Sequence, residues 1–215
     1  MFTEAAHGRP PVADGSVTVL PPVHDRMHAV AAFTAHHVIA AEVDEEIVRQ
    51  RLPPDDLGAP MSASFLLFLA SWVGAEPGTL DLVLAKTDKS ADGGAALWVR
   101  GDLDDHPRVT RARRYRPHSL VYADRPAGEP DGVLVVGQGV AGRWEMAFEI
   151  APDVRGRGLG RRLAAAASVL VPGDEPVFAQ VAAGHPSSLR ACLAAGYVAI
   201  GAEVLFVRRG GAARS

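Results

Sequence analysis

Along the chain, apolar positions keep a helical spacing in some stretches and alternate strictly in others. His24 to Ala35 carries Met27, Val30, Ala31 and Thr34 in helical register, which predicts a helix. Val43 to Leu52, with Asp44 at its start and Pro53-Pro54 behind it, predicts a second. Ser62 to Trp72 predicts a third, capped by Ser62 or Ser64 and stopped near Gly74 and Pro77. Val17 to Leu20 predicts a short strand. Residues 1–16 hold Gly8, Pro10, Pro11 and Gly15 without any period and read as a loose leader. Residues 1–76 are thus expected to form a mostly helical N-terminal extension.

From Thr79 the texture changes to short strands. Leu80 to Ala85 and Ala96 to Arg100, around an Asp92-Gly93-Gly94 turn, come first. Pro107 to Arg116 predicts a short helix, and Ser119 to Ala123 and Val133 to Gly137 two more strands. Arg143 to Ala151 alternates throughout: Trp144, Met146, Phe148 and Ile150 share one face, and Arg143, Glu145, Ala147 and Glu149 the other. Leu159 to Leu170 predicts a helix, Val177 to Val181 a buried strand, and Ser187 to Ala195 a helix ended by Gly196. Tyr197 to Val207 predicts two strands turning near Gly201. The expected class is α+β, with residues 77–209 as one domain and 210–215 as a disordered tail.

Composition narrows this only a little. The 215 residues, 48% hydrophobic and 22% charged, suffice for a real core. A formal charge of -3 gives no basic field for nucleic acid or an anionic membrane, so neither is an expected partner. The single cysteine, Cys192, cannot pair internally and fits a reducing compartment. The N-terminus shows no secretory pattern and Phe65 to Val73 is too short to cross a bilayer, so a cytoplasmic location is expected. Phe65, Leu66, Phe68, Leu69 and Trp72 read as core or as the face of a homodimer. His24 and His28 are spaced i, i+4 and His36-His37 are adjacent, but no metal motif surrounds them, and no metal is expected.

Two glycine runs are candidates for phosphate chemistry. Gly137-Gln138-Gly139-Val140-Ala141-Gly142 has the letters of a dinucleotide fingerprint, which requires a helix to come next. Arg143 to Ala151 comes next instead, alternating with strand period, so a glycine-rich hairpin is expected, with a nucleotide site as the alternative. Gly156, Gly158 and Gly160 sit between an expected strand and an expected helix, beside Arg155, Arg157, Arg161 and Arg162. Backbone amides bare of Cβ atoms, a helix N-terminus and arginines in one place suit an anion; the alternative is an arginine-rich surface turn.

The second run resembles the acyl-CoA loop of the GNAT acetyltransferase superfamily. Arg155, Gly158 and Gly160 fit its core, and Ile150, Pro152, Arg155 and Gly156 fit the residues upstream. His185 to Tyr197 is similar to the family's second motif, with Gly196-Tyr197 as its ending. The resemblance covers roughly residues 79–209 and implies a central twisted mixed β-sheet flanked by helices, an acetyl-CoA donor and an amine acceptor on a small molecule or peptide. It implies that Phe148, Ile150 and Val154 line the pantetheine arm, and that Arg155, Gly156, Arg157, Gly158, Leu159, Gly160 and Arg161 surround the pyrophosphate, with His185 and Ser188 also at the cofactor. A splay between the strands flanking the loop's helix would admit the arm.

Two positions depart from the family. Cys192 stands where a tyrosine often protonates the departing thiolate, and His185 stands where asparagine is usual. Cys192 could donate a proton, its reference pKa being about 8.5, or be a small apolar residue inside a helix. Glu145 and Glu149 are the candidate general bases, or else solvated strand residues. The expected activity is N-acetyl transfer by direct attack in a ternary complex; a second reading is a member that binds acyl-CoA without turnover. Arg108, Arg111, Arg113, Arg114 and Arg116 form a basic patch for an acidic ligand, or a solvated helix face.

Overall fold

A computed structural model describes residues 1–23, 27–90 and 94–208. His24, Asp92, Gly93 and the tail expected at 210–215 lie outside the described residues. In chain order the elements begin α1 (Phe2–Ala6), β1 (Val17–Leu20), β2 (His28–Phe33), β3 (His36–Ala40), α2 (Glu45–Arg51) and α3 (Ala63–Val73). They continue β4 (Ala75–Lys86), β5 (Trp98–Val99), α4 (Pro107–Arg113), β6 (Leu120–Ala123), β7 (Gly132–Gln138) and β8 (Trp144–Ile150). Last come α5 (Leu159–Ala167), β9 (Val177–Ala182), α6 (Pro186–Ala194) and β10 (Val198–Arg208).

The chain divides into two compact units. One comprises Met1, Pro10–Leu82 and residues 201–208; the other comprises Phe2–Arg9 and Val83–Ile200. The division falls inside β4, and β10 returns the chain to the first unit, so one linear boundary at residue 77 does not describe it.

In the first unit the strands run β1-β3-β2-β10-β4. β2 and β3 form an antiparallel hairpin, Phe33 opposite His36, turned by Thr34-Ala35 with Ala35 at φ 48°. The described part of the helix expected over His24 to Ala35, from Met27 on, is therefore a strand and a turn, and the described residues among 1–76 are not mostly helical. The apolar spacing misled because Ala29 to Phe33 is almost wholly buried in the sheet, and a strand covered on both faces shows a continuous apolar run that a helical period also fits. The expected turn near Gly201 is also replaced by a single strand, β10. A Cβ at Gly201 would run into the Ala32 carbonyl on the neighbouring β2, so this glycine permits a close backbone approach. α3 begins as expected, with Ser62 Oγ accepting from Phe65 N, and ends at Gly74 in the left-handed region. Phe65 and Leu69 enter a core with Val30, Ile39 and Val204, whereas Trp72 is about half exposed.

In the second unit the order is β4-β9-β8-β7-β6-β5. β5 to β8 pair antiparallel and β8 pairs parallel with β9, giving a mixed sheet flanked by helices. α5 packs against β7, β8 and α6. Its buried positions are mostly alanine, which has the best helix propensity and lets a helix lie close to its neighbours. Leu84, Leu134, Met146, Leu163, Val177 and Val181 form the core here. The residues read as a loose leader include α1, whose Ala5 is buried and whose Phe2 ring lies under the Arg143 guanidinium at 4.5 Å. Among the described residues no helix is long and apolar enough to cross a membrane.

Candidate active site

β8 leads directly into the glycine loop. Ala151 N still donates to Asp131 O on the β7 side (2.9 Å), and then Pro152, with no N–H, ends the ladder and opens a short 3-10 turn through Val154. Gly156 (φ 76°) and Gly158 (φ 81°) are both left-handed, a conformation glycine adopts without strain. Gly158 is the N-cap of α5. The first turn of a helix has N–H groups without intrahelical acceptors, and Gly158 has no side chain to cap them. Gly156 has open space where a Cβ would stand. The loop thus presents bare amides at the positive end of a helix, the arrangement that binds anions.

Arginines are tied to this loop by its own carbonyls. Arg155 Nε donates to Ile150 O (3.0 Å), Arg157 Nη2 to Asp153 O (3.3 Å) and Arg162 Nη1 to Arg157 O (3.4 Å). A guanidinium has five N–H donors, so each bond engages part of the fork and keeps the charge beside the loop. Arg155, Arg157 and Arg161 are exposed. Leu159 is buried in the core, so only its backbone belongs to the loop surface. At Gly160 a Cβ would stand 3.2 Å from the Phe148 ring and 3.6 Å from Ala191 Cβ, so this glycine serves the packing of α5 on β8 and α6.

β8 and β9 carry two residue pairs, Trp144 with Val177 and Glu145 with Phe178, both at their N-terminal ends. The remainder of β8 continues beyond that ladder. Phe148 and Ile150, half-buried against the core, and half-buried Val154 therefore stand between the end of the ladder and the glycine loop. His185 and Ser188 sit at the start of α6. His185 is exposed, and its carbonyl accepts from Ser188 N and Leu189 N, both at 3.1 Å.

The expected catalytic groups separate sharply. Glu145 is wholly buried. Its Oε2 accepts from Arg116 Nε (2.7 Å), and its Oε1 accepts from Arg143 Nε (2.8 Å), Gln180 Nε2 (2.9 Å) and Val140 N (3.2 Å). Burial by itself pushes this carboxyl up, but the Arg143 and Arg116 charges with their hydrogen bonds outweigh it and hold it below the usual range. A carboxylate held ionised by four donors, away from solvent, is a structural anion; as general base Glu145 is a correction to the sequence-based expectation. Arg116, read as part of a basic patch, and Gln180 were missed as its partners; Arg143 left a trace, an opposite charge two residues away on the same strand face.

Cys192 is also corrected. It is 1% exposed within the core, and burial pushes its thiol up to about 12, out of range for an acid at neutral pH. Tyr197 is no substitute: it is buried, its hydroxyl donates to Ala164 O (3.1 Å), and burial raises its pKa well above the ordinary value. Glu149 remains accessible. It is partly exposed near the C-terminal end of β8, ion-paired to Arg108 of α4 at 3.4 Å.

The other glycine run is a hairpin between β7 and β8, closed by Gly139 N to Arg143 O (2.9 Å) and Gly142 N to Gly139 O (3.0 Å). No helix of useful length begins there, and a Cβ at Gly139 would occupy the position of the Glu145 carboxylate. Gly139 makes room for the buried anion and Gly137 for Ser119, and with no helix to follow, the dinucleotide reading loses its basis. Among the described residues no group of three or more acidic, histidine or cysteine side chains could hold a metal. His36 is instead bonded through Nδ1 to Asp14 Oδ1 (3.1 Å) and Ser16 Oγ (3.2 Å), and through Nε2 to Thr18 Oγ1 (3.1 Å).

No protein-family model and no curated protein matches the chain. Solved structures do. An acetyltransferase from the GNAT family of Colwellia psychrerythraea is 12% identical, with a TM-score of 0.44 over 68% of this chain and 63% of its own. A putative GNAT-family acetyltransferase from Novosphingobium aromaticivorans is 17% identical, with a TM-score of 0.45 over 64% of this chain and 69% of its own. The chain thus spans under two thirds of the length of the first. At these scores they are likenesses, and the site stands on its own geometry.

Proposed function

We propose that the second unit binds acetyl-CoA at the Arg155–Gly160 loop and transfers the acetyl group to an amine. The observation that carries this is the loop itself: two left-handed glycines and an uncapped helix start, bordered by arginines, placed directly after a strand that has left its parallel neighbour. An anion at the helix start gains about 0.3 to 1 kcal/mol from the dipole, with more from the amide hydrogen bonds. The strip from Phe148 to Val154 offers an apolar wall for the pantetheine arm.

In the ternary complex the amine attacks the thioester carbonyl, the two groups being held close together. Glu149 is the chain's accessible carboxylate on the strand and takes the amine proton, directly or through water. No acid from Cys192 or Tyr197 is required, since the CoA thiolate is a tolerable leaving group. The test is free-thiol release from acetyl-CoA with a panel of amines, wild type against Glu149→Gln. Thiol release that is amine-dependent and falls about 100-fold or more in the variant is the expected result; unchanged turnover in the variant overturns the role of Glu149.

A second reading is an acyl-CoA-binding module without turnover, favoured by the burial of Glu145 and Cys192. It predicts CoA binding with no amine-dependent thiol release.

A further inference from the structure

The five arginines from Arg108 to Arg116 divide by their partners. Arg108 is paired with Glu149, Arg113 with Asp104 (2.8 Å) and Arg116 with Glu145 (2.7 Å). Among the described residues Arg111 and Arg114 have no such carboxylate partner. Both line one open pocket of about 550 Å³, together with Pro107, Thr110 and Tyr115. The spacing explains the grouping: positions 107, 110, 111 and 114 share one face of α4, while Val109 and Ala112 bury the other. Two exposed guanidinium groups without a carboxylate partner thus line one concavity, in a chain whose overall charge is -3.

We propose that this pocket is an oxyanion site for the carboxylate or phosphate group of a small ligand. Arg111 and Arg114 supply the charge, and Thr110 and Tyr115 supply hydroxyl donors. Guanidinium forks match both oxyanions bidentately, which a lysine pair would not do. The pocket also adjoins the candidate site. Arg111 follows Arg108 by three residues, so the two are neighbours on the helix surface, and Arg108 is the residue that meets Glu149 on β8. Resting on the acyltransferase reading, the ligand is the acceptor: an amine that also carries an oxyanion, held by α4 while its nitrogen lies toward Glu149.

The experiment is calorimetric titration of the full chain with phosphoethanolamine, 3-aminopropionate and ethanolamine, repeated on the Arg111→Gln, Arg114→Gln double variant. Both side chains are exposed, and circular dichroism with a melting curve checks that the variant is folded. The expected result is binding of at least one anionic amine, with ethanolamine and the double variant each weaker by about tenfold or more. The two anionic probes separate phosphate from carboxylate. Equal binding of ethanolamine, unchanged binding by the double variant, or no binding of any probe overturns the site. Thiol release from acetyl-CoA is then measured with the probe that binds. Binding without release keeps the oxyanion site and overturns the acceptor assignment, so failure of the acyltransferase reading is distinguishable from failure of the pocket.

Discussion

Two glycine-rich turns flank β8, and they use the missing Cβ in opposite ways. Before the strand, the space a side chain would need at Gly139 is filled by the chain's own buried carboxylate, Glu145, in a cage of Arg116, Arg143, Gln180 and the Val140 amide. After the strand, Gly156 has nothing within van der Waals range and Gly158 has only the tip of Arg162, at 3.7 Å. One turn is closed on an internal anion; the other is open to an external one. Glycine spacing alone does not separate a binding loop from a structural turn. At Gly139 the occupant of the vacated space does, whereas Gly142 in the same turn has open space and a positive φ, as Gly156 has.

The sharpest way to break this contrast is to fill the closed turn. Gly139→Ala forces a methyl into the carboxylate cage and is expected to cost about 3 to 5 kcal/mol, the range for disrupting a buried ion pair. Urea denaturation measures it; a cost below about 1 kcal/mol would show that the cage yields and that the turn is not closed on its carboxylate.

Glu145→Gln tests the same cage by charge. It keeps the shape but leaves Arg116 and Arg143 buried without their counter-ion, and a loss of about 3 kcal/mol at neutral pH is expected. The pH dependence has a definite sign. The folded carboxyl is held below its unfolded value, so its stabilisation is complete above the unfolded value of about 4.3 and is lost as pH falls through the lower folded value. Wild type should therefore lose stability on acidification below about pH 4, and the variant should lack that component of the acid limb. Identical acid limbs would sink the assignment.

The sequence shows why one turn was easier to recognise than the other. The open loop is local: β8 alternation, Pro152, the glycines and the alanine-rich helix all lie between Trp144 and Ala167, and the structure forms each element close to where its period places it. The fate of Glu145 is not local. Alternation puts it on a face with Glu149, but what covers that face comes from Arg116, 29 residues before it, and Gln180, 35 residues after it. Two carboxylates on one strand face thus looked equivalent, although one is caged and the other partly exposed. The same limit hid the β2–β3 hairpin, since the strand that pairs with the other edge of β2 is β10, far along the chain. Arg111 and Arg114, without carboxylate partners, were likewise indistinguishable from Arg108, Arg113 and Arg116 until the acids were placed.

On the open side the effect should appear in binding before it appears in stability. Gly158→Val puts a branched side chain at φ 81° beside the first amides of α5. The strain of a left-handed β-branched residue is about 1 to 2 kcal/mol, whereas CoA affinity is expected to fall by about tenfold or more, because the amides that would meet the pyrophosphate are covered or turned away. Calorimetric titration with CoA reads this directly. Retained affinity would remove the pyrophosphate from this loop and leave an arginine-rich surface turn.

The smallest effect is the most informative control. Gly156→Ala introduces the same methyl as Gly139→Ala, but into open space, so only the backbone conformation at φ 76° opposes it. That cost is about 1 kcal/mol. Arg155, on one side, keeps its bond to the Ile150 carbonyl, and Arg157, on the other, keeps its bond to Asp153, since neither uses the Gly156 side. The loop should therefore hold its shape, with CoA affinity changed by less than about threefold. If this methyl destabilised the fold as much as the one at Gly139, the carboxylate beside Gly139 would not be what sets the cost there, and the contrast between the two turns would fall.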